Sequence, residues 1–286
     1  MHTATVARMT VLIILALAPV PAAAEVFYSV TSAEGRQNWL FGTLHSTDPR
    51  VIDVPPVVDQ ALIDAERIVI ELVPDELALQ FLDRAASLPE GACLSDFLPA
   101  DLATVVHSSL VARGVVPERA RRMQPWAAAM TLTQPISVDA EFMDLVLARR
   151  AFQNGAELLA LETIQEQIDF FQTLDLAIHV QMLELAVSAP ERLEDQHRQM
   201  LELYLARDLD GLQRQAIEQL QPLGEAAAER FVRRGIEQRN ERMAERALPL
   251  LRLGNTLVAV GALHLPGPGG LIERLRAAGF EVEPIY

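Results

Sequence analysis

Short apolar segments typical of β-strands lie near both ends of this chain, and long stretches with helical periodicity separate them. Alternating or β-branched runs predict strands at 26–31, 38–44, 67–72, 157–161, 256–260 and 281–285. Strands must pair to bury their apolar faces, so a sheet that uses both ends of the chain ties them into one domain. We therefore predict a single domain over 25–286 with an α/β (α+β) fold. Its mixed central sheet is built from N- and C-terminal strands, with a large helical middle segment.

Helical periodicity fills most of 75–154 and 163–253. In the first stretch, Pro125 is placed to begin one helix, and Gly155 is placed to end another that starts near Asp139. Three features predict breaks in the second stretch, namely Pro190, Gly211 and the segment 222–224.

The first 24 residues are typical of a cleavable signal peptide. Arg8 supplies a positive charge, residues 10–20 are apolar, and Ala22 to Ala24 form an A-x-A cleavage site. The alternative is a membrane anchor, but the apolar run is shorter than the about 18 residues that a spanning helix needs. We expect cleavage after Ala24, a periplasmic or secreted protein, and no stable membrane anchor after cleavage.

Charge and cysteine content narrow the classes of partner and site. The formal net charge is −15, which opposes binding to nucleic acid and to anionic lipid. The one cysteine, Cys93, permits neither an internal disulfide nor a zinc site built from several cysteines. We expect Cys93 to be a small buried side chain.

Four predicted strands are each followed by one ionisable residue that suits chemistry. His45 follows the strand at 38–44, Glu71 lies at the end of 67–72, Glu162 follows 157–161, and His264 follows 256–260. Ligand sites of open α/β sheets lie outside the carboxyl ends of the strands. Two histidines and two glutamates meeting there would suit a divalent metal with a bound water.

The two histidines share a G-x-x-H frame, residues 42–45 and 261–264. Glycine lets a strand turn sharply at its exit and lets another segment approach closely. The alternative is that His45 and His264 are structural, hydrogen-bonded side chains.

Each glutamate also has two interpretations. Glu71 is a metal ligand or a general base with a raised pKa, or it pairs with water or an arginine.

Glu162 is either functional or a neighbour of a capping box in which Thr163 caps a helix and Glu166 completes the box.

Other metal motifs are incomplete. The E-x-x-H of residues 194–197 has no second copy of the kind that carboxylate-bridged di-iron bundles need. The sequence contains no P-loop, H-E-x-x-H or G-x-S-x-G.

Several blocks resemble the TraB/GumN (Tiki-like) family, in the same order along the chain. They cover about 26–286 and comprise 39–45, 68–71, Pro125-Trp126, Leu161-Glu162-Thr163 with Gln167, Arg239-Asn240, and 258–267. The resemblance implies a metal-dependent peptidase whose metal ligands are His45, Glu71 and His264. Glu162, Arg239 and Asn240 are the secondary catalytic candidates that it implies. It also implies a fold similar to erythromycin esterase and to a haem-binding lipoprotein.

The resulting hypothesis is metal-assisted hydrolysis of a peptide or protein. The ion is Mn²⁺, Co²⁺ or Zn²⁺, Glu71 or Glu162 takes the proton, and Arg239 or Asn240 stabilises the oxyanion. Two alternatives stay open. One is a non-catalytic periplasmic binding or accessory protein for polysaccharide export or haem or metal carriage. The other is a metal-free esterase with His45 as general base. The sequence does not determine the substrate, the metal or the oligomeric state.

Overall fold

Strands from both ends of the chain join one six-stranded mixed sheet in the computed structural model, which describes residues 25–135 and 141–286. The strands are β1 (Phe27–Thr31), β2 (Gln37–Thr43), β3 (Arg67–Ile70), β4 (Glu157–Ala160), β5 (Thr256–Gly261) and β6 (Glu281–Pro284). Their spatial order is β4-β3-β5-β2-β1-β6. The pairs β2–β5, β5–β3 and β3–β4 are parallel, and β1 is antiparallel to both β2 and β6. The predicted mixed sheet is confirmed.

The helices account for most of the remaining chain. They are α1 (Pro49–Ile52), α2 (Pro56–Asp64), α3 (Glu76–Ala85), α4 (Ala100–Ala112), α5 (Pro117–Arg121), α6 (Pro125–Thr133), α7 (Met143–Asn154), α8 (Ile164–Gln172), α9 (Leu176–Ser188), α10 (Pro190–Leu205), α11 (Leu209–Leu220), α12 (Glu225–Val232), α13 (Gln238–Leu251) and α14 (Leu271–Ala277). Short 3₁₀ turns occur at Leu94–Phe97, Gln221–Leu223 and Ala262–His264.

Most predicted helix boundaries are confirmed to within a few residues. Pro125 begins α6, and Gly155 ends α7 with a left-handed φ of 72°. The predicted start of that helix near Asp139 lies outside the described residues. The predicted break at Gly211 is wrong. Its N–H donates to the carboxylate of Asp208 inside the first turn of α11, and the chain breaks before α11 instead.

The central strands are buried on both faces. Every residue of β5 up to Val260 is buried, and so are the last three residues of β3. Parallel strands with such continuous apolar runs need helices on both sides. The core around the sheet includes side chains from α7 and α13, such as Leu147 and Met243. A second apolar cluster joins α4, α6, α8 and α9, so the helical middle also packs on itself.

A π-helical segment, Arg233–Glu237, joins α12 to α13 without a break in the helix. At its end the N–H of Gln238 donates to the carbonyl of Arg233, five residues earlier. Such bulges change the phase of the helix and are frequent at functional sites. Arg239 and Asn240 follow after Gln238, so the bulge lies in the turn of helix just before both residues.

Two further expectations concern the membrane and the cysteine. Across 25–135 and 141–286, no helix combines the length and apolar character that crossing a membrane requires. The predicted signal peptide, residues 1–24, lies outside the described residues. The expected burial of Cys93 is wrong, since it is only partly buried. It lies at the start of the turn Leu94–Phe97, where its N–H donates to Asp96 and its Sγ is 3.8 Å from Nη2 of Arg121.

Candidate functional site

The four parallel strands end at one edge of the sheet, and each is followed by one of the residues singled out above. His45 comes two residues after β2, Glu71 directly after β3, Glu162 two residues after β4, and His264 three residues after β5. The strands are hydrogen-bonded neighbours in parallel register, so these positions lie along the same edge. The expectation that they converge there is met for the backbone positions.

His264 is held with Nε2 free to accept. It is buried in the turn Ala262–His264, and its Nδ1 lies 2.6 Å from Oδ1 of Asn240. The amide of Asn240 is oriented by its own N–H, which donates to the carbonyl of Gly269. Nδ1 therefore carries the proton, as assigned from this network. Burial lowers the pKa of His264 to about 4 despite the opposing effect of Glu71, so the ring is neutral at pH 7.

Glu71 faces His264 with its carboxylate fixed by two donors. Oε1 accepts from the N–H of Gly261 at 2.6 Å, and Oε2 accepts from Nη2 of Arg239 at 2.5 Å. Oε1 lies 3.8 Å from Nε2 of His264. Burial alone would raise the pKa of Glu71, but His264, Arg239 and the Gly261 N–H outweigh it and lower the pKa to about 2. The raised pKa expected for a general base is therefore wrong, because His264, Arg239 and the Gly261 N–H together stabilise the charged form of Glu71.

Arg239 bridges Glu71 and Glu162. Its Nε lies 2.9 Å and its Nη2 2.5 Å from Oε2 of Glu162, whose side chain is fully buried. Oε1 of Glu162 also accepts from Arg242 at 3.3 Å. The structural interpretation given above for each glutamate, an arginine partner for Glu71 and a neighbouring capping box for Glu162, therefore matches contacts in the structure. Glu71 pairs with an arginine, and the predicted capping box of Thr163 and Glu166 is confirmed.

His45 lies further out than the other three residues. Its side chain is 60% exposed, and its Nδ1 is 3.3 Å from Oδ2 of Asp144, a residue of α7 that the sequence did not single out. Oδ1 of Asp144 accepts from the hydroxyl of Thr43 at 3.1 Å. Burial raises the pKa of Asp144, and His45 partly opposes that rise. Acidic residues are common in the first turn of a helix, because they interact favourably with the helix dipole. The sequence pattern therefore did not distinguish Asp144 as a site residue.

The sequence matches the TraB/PrgY/gumN family over residues 26–284, which is nearly the whole chain. The chain belongs to the TraB/PrgY/gumN family. The predicted resemblance is confirmed.

This chain is similar to a curated protein, the metalloprotease TIKI1 of Danio rerio. The two sequences are 24% identical over 298 aligned positions. The alignment covers 86% of this chain and 60% of TIKI1, so the chain spans less than two thirds of that protein's length. No solved structure matches this chain significantly.

Gly42, the glycine of the first G-x-x-H frame, lies where the two frames are in contact. A Cβ on Gly42 would lie 3.1 Å from the backbone Cα of Ala262 and 3.1 Å from Cδ2 of Leu265. The carbonyl of Gly42 accepts from the hydroxyl of Tyr204 at 2.8 Å, which fixes the strand end against α10. The glycine therefore allows the segment before His45 to pack against the segment before His264.

Gly42→Ala is expected to destabilise the protein by about 1–3 kcal/mol, because the added methyl group overpacks a site enclosed by Ala262 and Leu265. Chemical denaturation measures the change. Gly269→Ala is the matched control, since its Cβ would meet Cγ of Glu237 at an ordinary 3.7 Å. If both variants kept the parental stability, the close approach of the two motifs would not constrain residue 42.

The imidazole nitrogens of His45 and His264 and the carboxylate oxygens of Glu71 are atom types that bind divalent ions. In each histidine an oxygen faces Nδ1, Oδ1 of Asn240 or Oδ2 of Asp144, so Nε2 is the atom left for a ligand. Metal-ligating histidines are usually oriented in this way. In the described part of the chain, however, no three His, Cys, Asp or Glu side chains are grouped closely enough to hold an ion. Of the three predicted ligands, His264 and Glu71 contact each other, whereas His45 contacts Asp144 instead.

Proposed function

We propose that this chain is an exported metal-dependent hydrolase that cleaves peptides or proteins. The observation that carries the proposal is the orientation of His45 and His264, each with an oxygen facing Nδ1 and with Nε2 left for a ligand. Membership of the family and the similarity to a protein named as a metalloprotease support the same chemistry.

His45, His264 and Glu71 are the residues that would hold the ion, which we take to be Mn²⁺, Co²⁺ or Zn²⁺. Imidazole favours Zn²⁺ and carboxylate oxygen favours Mn²⁺. When bound, such an ion polarises a carbonyl group and makes a water molecule more acidic. The neutral ring of His264 and the low pKa of Glu71 suit both groups to ligation, because neither has to lose a proton at pH 7.

The other site residues support these three. Both oxygens of Glu162 accept from arginines, so Glu162 holds Arg239 against Glu71. Asn240 fixes the proton of His264 on Nδ1. We therefore assign Glu162, Arg239 and Asn240 to positioning. The oxyanion role first given to Arg239 or Asn240 stays a prediction.

Export is part of the proposal. The signal-like segment at 1–24 would direct the protein to the periplasm or the medium, where peptide substrates occur. The net charge of −15 makes nucleic acid an unsuitable partner.

The second candidate function is a metal-free esterase, and the pair of His45 and Asp144 favours it. An exposed histidine whose Nδ1 faces a buried carboxylate is also the base-and-orienter arrangement of hydrolases without metal. A carrier that binds an ion without turnover is the third outcome of the test below.

The test follows cleavage of a fluorogenic peptide library and of an activated ester before and after chelation. We expect peptide cleavage to fall about 100-fold in chelator and to return with Mn²⁺, Co²⁺ or Zn²⁺. Ester hydrolysis that resists the chelator, without peptide cleavage, would favour the metal-free esterase. Stoichiometric ion binding without turnover of either substrate would favour the carrier.

A further inference from the structure

We propose that Asp144 is the residue that positions His45, by accepting its Nδ1 proton and leaving Nε2 available to a ligand. The inference deepens the proposed function and rests on it where an ion is concerned. The orientation of the ring itself does not depend on the ion.

Contacts on both sides of the carboxylate support this role. Oδ2 lies 3.3 Å from Nδ1 of His45, while Oδ1 accepts from the hydroxyl of Thr43, the last residue of β2. Thr43 is itself buried, so the carboxylate is anchored to the strand that carries His45. One side chain therefore connects α7 to both the strand end and the histidine two residues beyond it.

The burial of Asp144 separates this role from that of an ordinary helix acid. Its side chain is 17% exposed, and Oδ2 accepts no hydrogen bond of good geometry within the residues that the structure describes. A buried carboxylate oxygen is costly without a donor. Nδ1 of His45 is close enough to become that donor, and contacts of this kind are often long in free enzymes and shorten in the complex.

Asp101 provides a matched comparison on the same protein. It occupies the second position of α4, as Asp144 does in α7, so both acids have the same relation to the helix dipole. Asp101 is exposed, however, whereas Asp144 is mostly enclosed. Any effect of Asp144 beyond that of Asp101 thus reports on its contacts rather than on the helix terminus.

The first experiment reads the proton positions of His45 by long-range ¹H–¹⁵N NMR of the metal-free protein, with His45→Ala used to identify its signals. We expect the parent and Asp101→Ala to keep the proton on Nδ1. Asp144→Ala is expected to shift His45 toward the mixture of tautomers seen for free imidazole, and Asp144→Asn, which retains an acceptor, to restore the parental state. Unchanged His45 signals in folded Asp144→Ala would overturn the proposal.

The second experiment measures the affinity of the same variants for Mn²⁺ and Zn²⁺ by titration calorimetry. Loss of a partner of a ligating histidine typically costs about 10–100-fold in affinity, and we expect this for Asp144→Ala but not for Asp101→Ala. The tautomer of His45 and the ion affinity test different claims, so a negative result in one does not decide the other. A tautomer shift without any ion binding would support the role of Asp144 while contradicting the proposed metal function. Equal ion affinity in Asp144→Ala and Asp101→Ala would instead overturn a role for Asp144 in binding.

Discussion

His264→Ala is expected to lower the affinity for the divalent ion and the rate of peptide cleavage by at least about 100-fold, more than the loss of an outer-shell partner costs. The ring is neutral, oriented by Asn240 and 3.8 Å from Oε1 of Glu71. Alanine also leaves Asn240 without its buried donor. The variant should therefore lose the ion and some stability together.

A second buried histidine separates these two effects. His179 is 6% exposed and His264 is 4% exposed, and Nε2 of His179 lies 3.0 Å from the carbonyl of Phe171 in the helical layer. His179→Ala should lose stability and retain the ion. Elemental analysis, calorimetric titration and thermal unfolding on both variants give the comparison. Full ion content and activity in His264→Ala would remove His264 from the metal site.

Arg239→Met is expected to destabilise the protein by about 3–5 kcal/mol, because it leaves two buried carboxylates without their shared cation. The side chains of Glu71 and Glu162 are 12% and 0% exposed. Denaturant unfolding at pH 7 measures the loss. Adding Glu162→Gln to Arg239→Met removes one of the stranded charges, so the double variant should regain part of it.

The stability lost in Arg239→Met is expected to depend on pH, and the pKa of Glu71 determines the direction. In the parent, the pKa of Glu71 is lowered to about 2 from an ordinary 4.5, so its contribution is complete above about pH 4.5 and is lost as the pH falls toward 2. Arg239 is one of the groups that lower this pKa, so the pKa of Glu71 moves upward when Arg239 is removed, and the carboxylate of the variant takes up a proton at a higher pH. The deficit of the variant should therefore be greatest at neutral pH and shrink on acidification.

Arg246→Met is the matched control for this prediction. Arg246 lies on the same helix and pairs with Glu166, but its side chain is 42% exposed. Exposed ion pairs contribute only about 0–1 kcal/mol, so this variant should lose far less stability. Equal losses in Arg239→Met and Arg246→Met would show that burial of the Glu71–Arg239–Glu162 cluster does not govern its energy.

The strands and the edge at which their ends meet could be predicted from the sequence, because both follow from local patterns. Apolar β-branched runs predict β3 and β5, and parallel pairing then places Glu71 and His264 at the same edge. The helix boundaries at Pro125 and Gly155 follow from the backbone geometry of single residues.

The electrostatics of the site could not be predicted, because they depend on contacts between distant segments. Glu71 and Arg239 are 168 residues apart, and the pKa of Glu71 is lowered by contacts with His264, Arg239 and the Gly261 N–H, all distant in sequence. Asp144 gave no signal for a related reason. A first-turn aspartate looks the same in sequence whether it meets water, as Asp101 does, or a histidine.

The place of β5 in the sheet bears on the order in which the protein is made. β5 lies between β2 and β3, yet it leaves the ribosome after almost all of the other elements. Until it arrives, the N-terminal hairpin and β3 have no strand to connect them, and pairing across such sequence separations is slow. A nascent chain interrupted before Thr256 thus lacks the strand that joins the two halves of the sheet. Such a chain also lacks His264, so the strand edge that carries Glu71 is not joined by its partner until the last part of the chain has been made.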